Sequence, residues 1–181
     1  MKIINKLSDS LKEELLLEAN GPVMKEIKLF SLNFSEETLR QMISIMKEVR
    51  FTPGDIIFSK NEISNSIYIL RRGEVELFID RTHSTNEDTV LKKLQPGELF
   101  GELSFFTNCE RTASARSTDF TNVFMIKQED FLEILRKNQC DFQRFCEIKD
   151  NINIFDNYED LFLRCFSCKS SSHQLKFCPL L

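Results

Sequence analysis

Gly97-Glu98-Leu99-Phe100-Gly101-Glu102-Leu103-Ser104-Phe105-Phe106-Thr107-Asn108-Cys109-Glu110-Arg111-Thr112-Ala113-Ser114 carries the chemistry on which the reading of this chain turns. A strand end runs into Gly101, and a residue without a β-carbon lets the backbone approach another group closely. The residues from Glu102 onward read as one short helical turn. Its N–H groups at 102–104 have no intrahelical acceptor and can face an anion. Arg111 adds a fixed positive charge and a planar, two-pronged donor suited to phosphate. Thr112 adds a hydroxyl beside it. Glu102 makes sense in such a place only if the ligand has a second, hydroxyl-bearing end, because an ionised carboxylate only accepts hydrogen bonds. A carboxylate and an arginine bracketing a short helix match a sugar–phosphate better than free phosphate.

On either side of this stretch the hydrophobic period changes. From Arg50 it is two. Phe51–Asp55 reads as a strand end and turn. Ile56–Phe58, Ile67–Leu70, Val75–Ile79, Val90–Leu94 and Val123–Ile126 read as short strands. Arg72-Gly73-Glu74 and Pro96-Gly97 punctuate them, and the polar run Asp80–Thr89 reads as an exposed hairpin loop. Before Arg50 the period is helical. Leu7, Leu11 and Leu15 recur every fourth residue, Gly21 is placed to stop that helix, and Pro22 to open the next. Ser35 is an N-cap with Glu36 and Glu37 behind it, and Leu39, Met42, Ile43 and Met46 share a face. After Lys127 helices return, with Phe131, Leu132 and Leu135 on one face and Phe142, Phe145, Ile148 and Ile152 on another. Asn151–Glu159 reads as a polar link to the tail. Helices, a block of strands, then helices predict an α+β fold built on a small antiparallel β-roll, jelly-roll-like, flanked by helices.

Bulk properties narrow the function. The 181 residues fit one domain with small appendages. The net charge of −4 is not that of a polyanion binder. No run approaches the roughly 20 apolar residues of a membrane span, and the first residues lack the apolar core of a secretory signal. A reducing, cytoplasmic setting is therefore expected. No nucleophile–base pair is visible. The two histidines, His83 and His173, fall in the polar loop and in the tail, so catalysis is not expected.

The stretch Phe100–Ser114 resembles the phosphate-binding cassette of cyclic-nucleotide-binding domains. It is most similar to the hyperpolarisation-activated and cyclic-nucleotide-gated channel branch, down to the Glu102–Arg111 spacing. Thr52-Pro53-Gly54-Asp55 and Arg71-Arg72-Gly73-Glu74-Val75 resemble the turns of that family's roll. Ala19-Asn20-Gly21-Pro22 with Leu29-Phe30 resembles its linker helices. The resemblance spans roughly residues 5–155. It implies that cAMP or cGMP binds through Gly101, Glu102, Leu103 and Ser104 on ribose and phosphate, and through Arg111 and Thr112 on phosphate. It further implies a final helix closing over the base. Ile148 and Ile152 occupy plausible lid positions there, although packing against the roll accounts for them equally well. The implied division is linker-like helices over 1–48, the roll over 49–127, lid helices over 128–156 and a tail over 160–181. The implied partners are a channel pore, with potassium as the expected ion, or other subunits in a tetramer, at the cytosolic face of a membrane.

Six cysteines remain to be placed. Cys109, Cys140 and Cys146 are scattered. Cys165, Cys168, His173 and Cys178 have the spacing of a CCHC zinc knuckle, in which four soft or borderline ligands surround Zn2+. Lys169 and Ser172 stand where that module has glycine, and the alternative is a tail of free thiols. Phe166 is placed to stack on a nucleobase. The few cations of the tail, Arg164, Lys169 and Lys176, give little affinity for nucleic acid, so a structural or protein-binding use is the stronger expectation. The competing function is thus an adaptor led by the tail, with a roll that holds no ligand.

Overall fold

The structure is a computed structural model that describes residues 9–80, 88–165, 168, 170, 173, 178 and 179. His83, Phe166, Lys169, Ser172 and Lys176 lie outside the described residues. Three helices come first: α1 (Asp9–Glu26), α2 (Lys28–Ser31) and α3 (Glu36–Ile45). Eight strands follow: β1 (Lys47–Phe51), β2 (Ile56–Phe58), β3 (Ser66–Arg72), β4 (Val75–Ile79), β5 (Thr89–Leu94), β6 (Leu99–Phe100), β7 (Ser114–Ser117) and β8 (Thr121–Lys127). Helix α4 (Glu102–Thr107) interrupts them between β6 and β7. Helices α5 (Gln128–Leu135) and α6 (Gln139–Phe155) and a 3₁₀ turn at Glu159–Leu161 complete the order.

The strands form two four-stranded antiparallel sheets, ordered β1-β8-β3-β6 and β2-β7-β4-β5. This is the expected α+β roll. Strand β3 shows why its sequence is a continuous apolar run and not an alternation. Tyr68 and Leu70 face the interior between the sheets with Phe58, Phe100 and Val123. Ile67 and Ile69 face the opposite way into a second core, shared with the helices. A strand buried on both faces has no polar side to show.

Two local expectations differ from the structure. Helix α1 continues through Gly21 and Pro22 instead of stopping there. Met24 and Ile27 beyond the proline are buried at 1% and 4% exposure, and packing of this kind overrides a local breaker. Helix α6 runs on through Asn151–Phe155, where a polar link was expected. Its Ile152 is buried in the helical core, which holds that last turn down.

The helical core also seats α4. Phe105 stacks on Phe131 of α5 with ring centroids 5.6 Å apart. Phe106 stacks on Phe145 of α6 at 5.1 Å. Both α4 phenylalanines are fully buried, so one face of the short helix is clamped while the other looks toward the roll.

Candidate functional site

Gly101 caps α4 in the left-handed region, at φ 86°. Positive φ suits glycine, and space demands it as well. A β-carbon here would lie 2.6 Å from Arg111 Nη1 and 3.1 Å from the Ser66 carbonyl oxygen. The close approach read from the sequence is thus made first by the protein's own guanidinium. No side chain caps α4 at its N-terminus.

Arg111 is 2% exposed. Its Nη1 donates to the Gly101 carbonyl at 2.9 Å and to Ser104 Oγ at 2.5 Å. Its Nη2 donates to the Ser66 carbonyl at 2.7 Å and to Ser64 Oγ at 3.3 Å. The guanidinium carbon sits 4.1 Å from the Phe58 ring centroid and 5.8 Å from that of Tyr68. The backbone is fixed too: Arg111 N–H donates to the Glu62 carbonyl, and Asn61 N–H to the Arg111 carbonyl. Every one of these side-chain partners is neutral. Burial disfavours the charged form of Arg111 and lowers its pKa, yet a guanidinium stays protonated in proteins. The result is a buried cation held in place by carbonyls, hydroxyls and ring faces, with no carboxylate bonded to it among the described residues.

Glu102 is the complementary group. It is 9% exposed. Burial raises its pKa, and its own backbone N–H, Lys92 and Arg111 lower it only in part. Its Oε2 and Arg111 Nε are both buried polar atoms without a hydrogen-bond partner among the described residues. Buried orphans of this kind are uncommon and call for a missing partner.

Both groups line one cavity of about 700 Å³, within the span of small-molecule sites. Gly101, Leu103, Ser104 and Thr112 line it as well, so all six predicted cassette residues meet there. Ile148 and Ile152 do not. They are buried at 0% and 6% exposure in the helical core with Phe145, which is the packing alternative. From the chain after α6 the cavity is lined instead by Tyr158, Leu163, Arg164, Cys165 and His173. Sequence reasoning missed this lining, and it also missed Ser64, Ser66, Phe58 and Tyr68 around Arg111. Half of the hydrogen bonds that the Arg111 guanidinium donates go to backbone carbonyls, which leave no trace in side-chain identity.

The four predicted metal ligands converge. One ligand atom from each of Cys165, Cys168, His173 and Cys178 lies within 4.8 Å of the others. With metal–sulfur bonds of about 2.3 Å, the edges of a tetrahedron are roughly 3.8 Å, so one ion fits with little adjustment. Cys168 Sγ is 3.1 Å from His173 Nε2. Cys165 N–H donates to the Ser170 carbonyl at 2.7 Å. The Ser170 backbone favours the Cys168 thiolate, but desolvation and the Cys165 and Cys178 thiols outweigh it and hold the thiol above its usual pKa. The donor set and its spacing suit a zinc-like ion.

A short helix between two strands, a buried arginine at one end and a buried glutamate beside it, set over one cavity, define a β-roll built around a pocket. The chain belongs to the cyclic nucleotide-binding domain family, whose model matches residues 48–138. It is 26% identical over 142 residues to a cyclic nucleotide-gated channel of Caenorhabditis elegans, covering 75% of this chain and 19% of that protein. It is 32% identical over 114 residues to the cyclic AMP receptor protein of Thermus thermophilus, covering 63% of this chain and 51% of that one. It is 27% identical over 135 residues to potassium/sodium hyperpolarization-activated cyclic nucleotide-gated channel 1 of Oryctolagus cuniculus, covering 75% and 14%. The chain thus spans a fifth or less of these channels and about half of the receptor protein. No helix among the described residues is long and apolar enough to cross a membrane.

Proposed function

We propose that this chain is a regulatory module that binds cAMP or cGMP and conveys occupancy to a cation channel, potassium-conducting in the reading favoured here. One observation carries the proposal. Arg111 and Glu102 both line a single cavity, and each keeps a buried polar atom, Nε and Oε2, without a hydrogen-bond partner among the described residues. A cyclic phosphate would take the guanidinium and the ribose 2′-hydroxyl would donate to the carboxylate. Gly101, Leu103 and Ser104 would pack on the ribose and phosphate, and Thr112 would reach the phosphate or a syn guanine.

Occupancy has a route outward. Phe106 and Phe145 tie α4 to α6. Asp141 at the start of α6 accepts from the Ser35 hydroxyl at 2.6 Å and from the Thr38 hydroxyl at 2.5 Å, which ties α6 to α3. We assign residues 1–48 as linker-like helices, 49–127 as the roll, 128–156 as the closing helices and 160–181 as a zinc-holding CCHC tail. A ligand shifts such a set of contacts only by binding one arrangement more tightly than another. The module would work at the cytosolic face of a membrane, beside a pore domain in a tetramer, as a sensor and not as an enzyme. A tail-led adaptor would use the same metal cluster but leaves the two buried orphans unexplained.

The test is calorimetric titration of the chain with cAMP and with cGMP, repeated on Arg111→Gln. Saturable heat that vanishes in the variant is the expected result, with a thermal melt showing that the variant remains folded. Equal affinity in the two proteins rules the cassette out as the site.

A further inference from the structure

The metal cluster and the nucleotide cavity share a wall. Cys165 and His173 belong to the four-ligand cluster and also line the cavity that Arg111 and Glu102 line. Leu163 and Arg164, just before the cluster, line it too. We propose that metal capture by Cys165, Cys168, His173 and Cys178 fixes Leu163, Arg164, Cys165 and His173 as the lid of the nucleotide pocket, so that the metal tightens cyclic-nucleotide binding. The proposal rests on the cyclic-nucleotide reading of the cavity given above.

The chain is routed for this. Asp156 ends α6 in the left-handed region at φ 49°, and Phe162 ends the 3₁₀ turn in the same region at φ 56°. Two such reversals at residues other than glycine are strained. They turn the chain away from the axis of α6 and back toward the roll. Between them the segment is pinned. Arg144 Nη2 donates to Asp160 Oδ1 at 2.6 Å and Asn151 Nδ2 to Asp160 Oδ2 at 3.0 Å. Tyr158 and Leu161 are 4% and 3% exposed, inside the helical core. After Leu161 that anchorage thins. Leu163 only flanks the core and Arg164 is exposed. Beyond this point the described residues are held by the hydrogen bond from Cys165 N–H to the Ser170 carbonyl and by the cluster itself, among other contacts.

A metal adds coordinate bonds to the four ligands, which hold those residues far better than a thiol–imidazole contact does. The conformational freedom that the nucleotide would otherwise have to remove from its own lid is then already gone. Coupling is reciprocal, so the nucleotide must tighten the metal by the same factor.

The experiment uses the full chain, loaded with one zinc per chain or stripped by a chelator, with zinc content measured directly. Each form is titrated with cAMP and with cGMP. Cys168→Ser and Cys178→Ser serve as variants, because both remove a ligand and neither residue lines the cavity. The loaded chain should bind nucleotide about tenfold more tightly than the stripped chain. Both variants should match the stripped chain whatever zinc is added. Saturating nucleotide should raise zinc affinity by the same factor. Equal nucleotide affinity in chains shown to hold and to lack zinc overturns the coupling, and so does weaker binding in the loaded form. A chain that binds nucleotide but takes up no zinc overturns the metal site while leaving the cassette reading intact. A chain that takes up zinc but binds neither nucleotide overturns the cassette reading, and the coupling falls with it.

Discussion

Arg111 occupies the space that a side chain at Gly101 would need: a β-carbon there would come within 2.6 Å of Nη1. Glycine and arginine are therefore one structural unit. The guanidinium cannot step aside without giving up the Gly101, Ser66 and Ser104 oxygens that it bonds.

Gly101→Ala should accordingly act twice. Left-handed backbone at an alanine destabilises the fold by about 1–2 kcal/mol. Displacement of Arg111 should weaken nucleotide binding by about tenfold or more. A thermal melt paired with a cAMP and cGMP titration reads both. Unchanged affinity would show that the close packing of the two residues plays no part in binding.

Glu102 makes binding depend on pH, with a definite sign. Burial raises its pKa above the ordinary 4.5, so in the free protein the proton is held to higher pH than in the unfolded chain. A ribose hydroxyl donating to Oε2 favours the ionised form. Nucleotide affinity should rise as pH climbs through the raised pKa and fall below it, with a proton released on binding inside that window. Glu102→Gln should flatten the profile. The raised pKa also makes folding less favourable as pH rises from 4.5 to the raised value, and Glu102→Gln removes that slope. Calorimetry in buffers of different ionisation enthalpy counts the proton; no release at any pH contradicts this role for the carboxylate.

Asp141 is a joint between α3 and α6. Its carboxylate accepts from Ser35 N–H, the Ser35 and Thr38 hydroxyls and Asn138 Nδ2. Asp141→Ala strands these donors, the Thr38 hydroxyl among them fully buried, and should cost about 2–4 kcal/mol of stability. Urea unfolding should show the lowered midpoint, and Asp141→Asn should recover part of it.

Phe106 seats the cassette helix on Phe145. Phe106→Ala should destabilise the fold by about 3–5 kcal/mol and loosen nucleotide binding, because α4 loses one of its two clamps. Phe106→Leu, which keeps most of the volume, should retain more of both. Full affinity in a folded Phe106→Ala chain would show that α4 does not depend on that clamp.

The roll, its turns and the cassette were legible because each is written locally. Strand β4 is a five-residue run with four apolar residues, Gly101 and Arg111 sit within one short stretch, and the four cysteine and histidine residues of the cluster fall within fourteen residues of one another. Strand β7 was not singled out, because Ser114-Ala115-Arg116-Ser117 has no apolar face of its own. Its burial comes from β2 and β4 on either side. Helix α1 kept its course through Gly21-Pro22 for a similar reason, since the buried residues that hold it touch other elements.

Residue types and spacings alone therefore determined an α+β roll, and they pointed to a short helix bracketed by Gly101 and Arg111 and to a Cys/His cluster in the tail, because each of those features is set by neighbours in the chain. Only the tertiary structure decided what surrounds them. Arg111 rests on the backbone of Ser66 and the ring of Phe58, Ile148 and Ile152 lie in the helical core, and Cys165 and His173 of the tail line the cavity. Those placements join residues tens of positions apart, often through backbone atoms that every residue shares, so no local pattern can announce them.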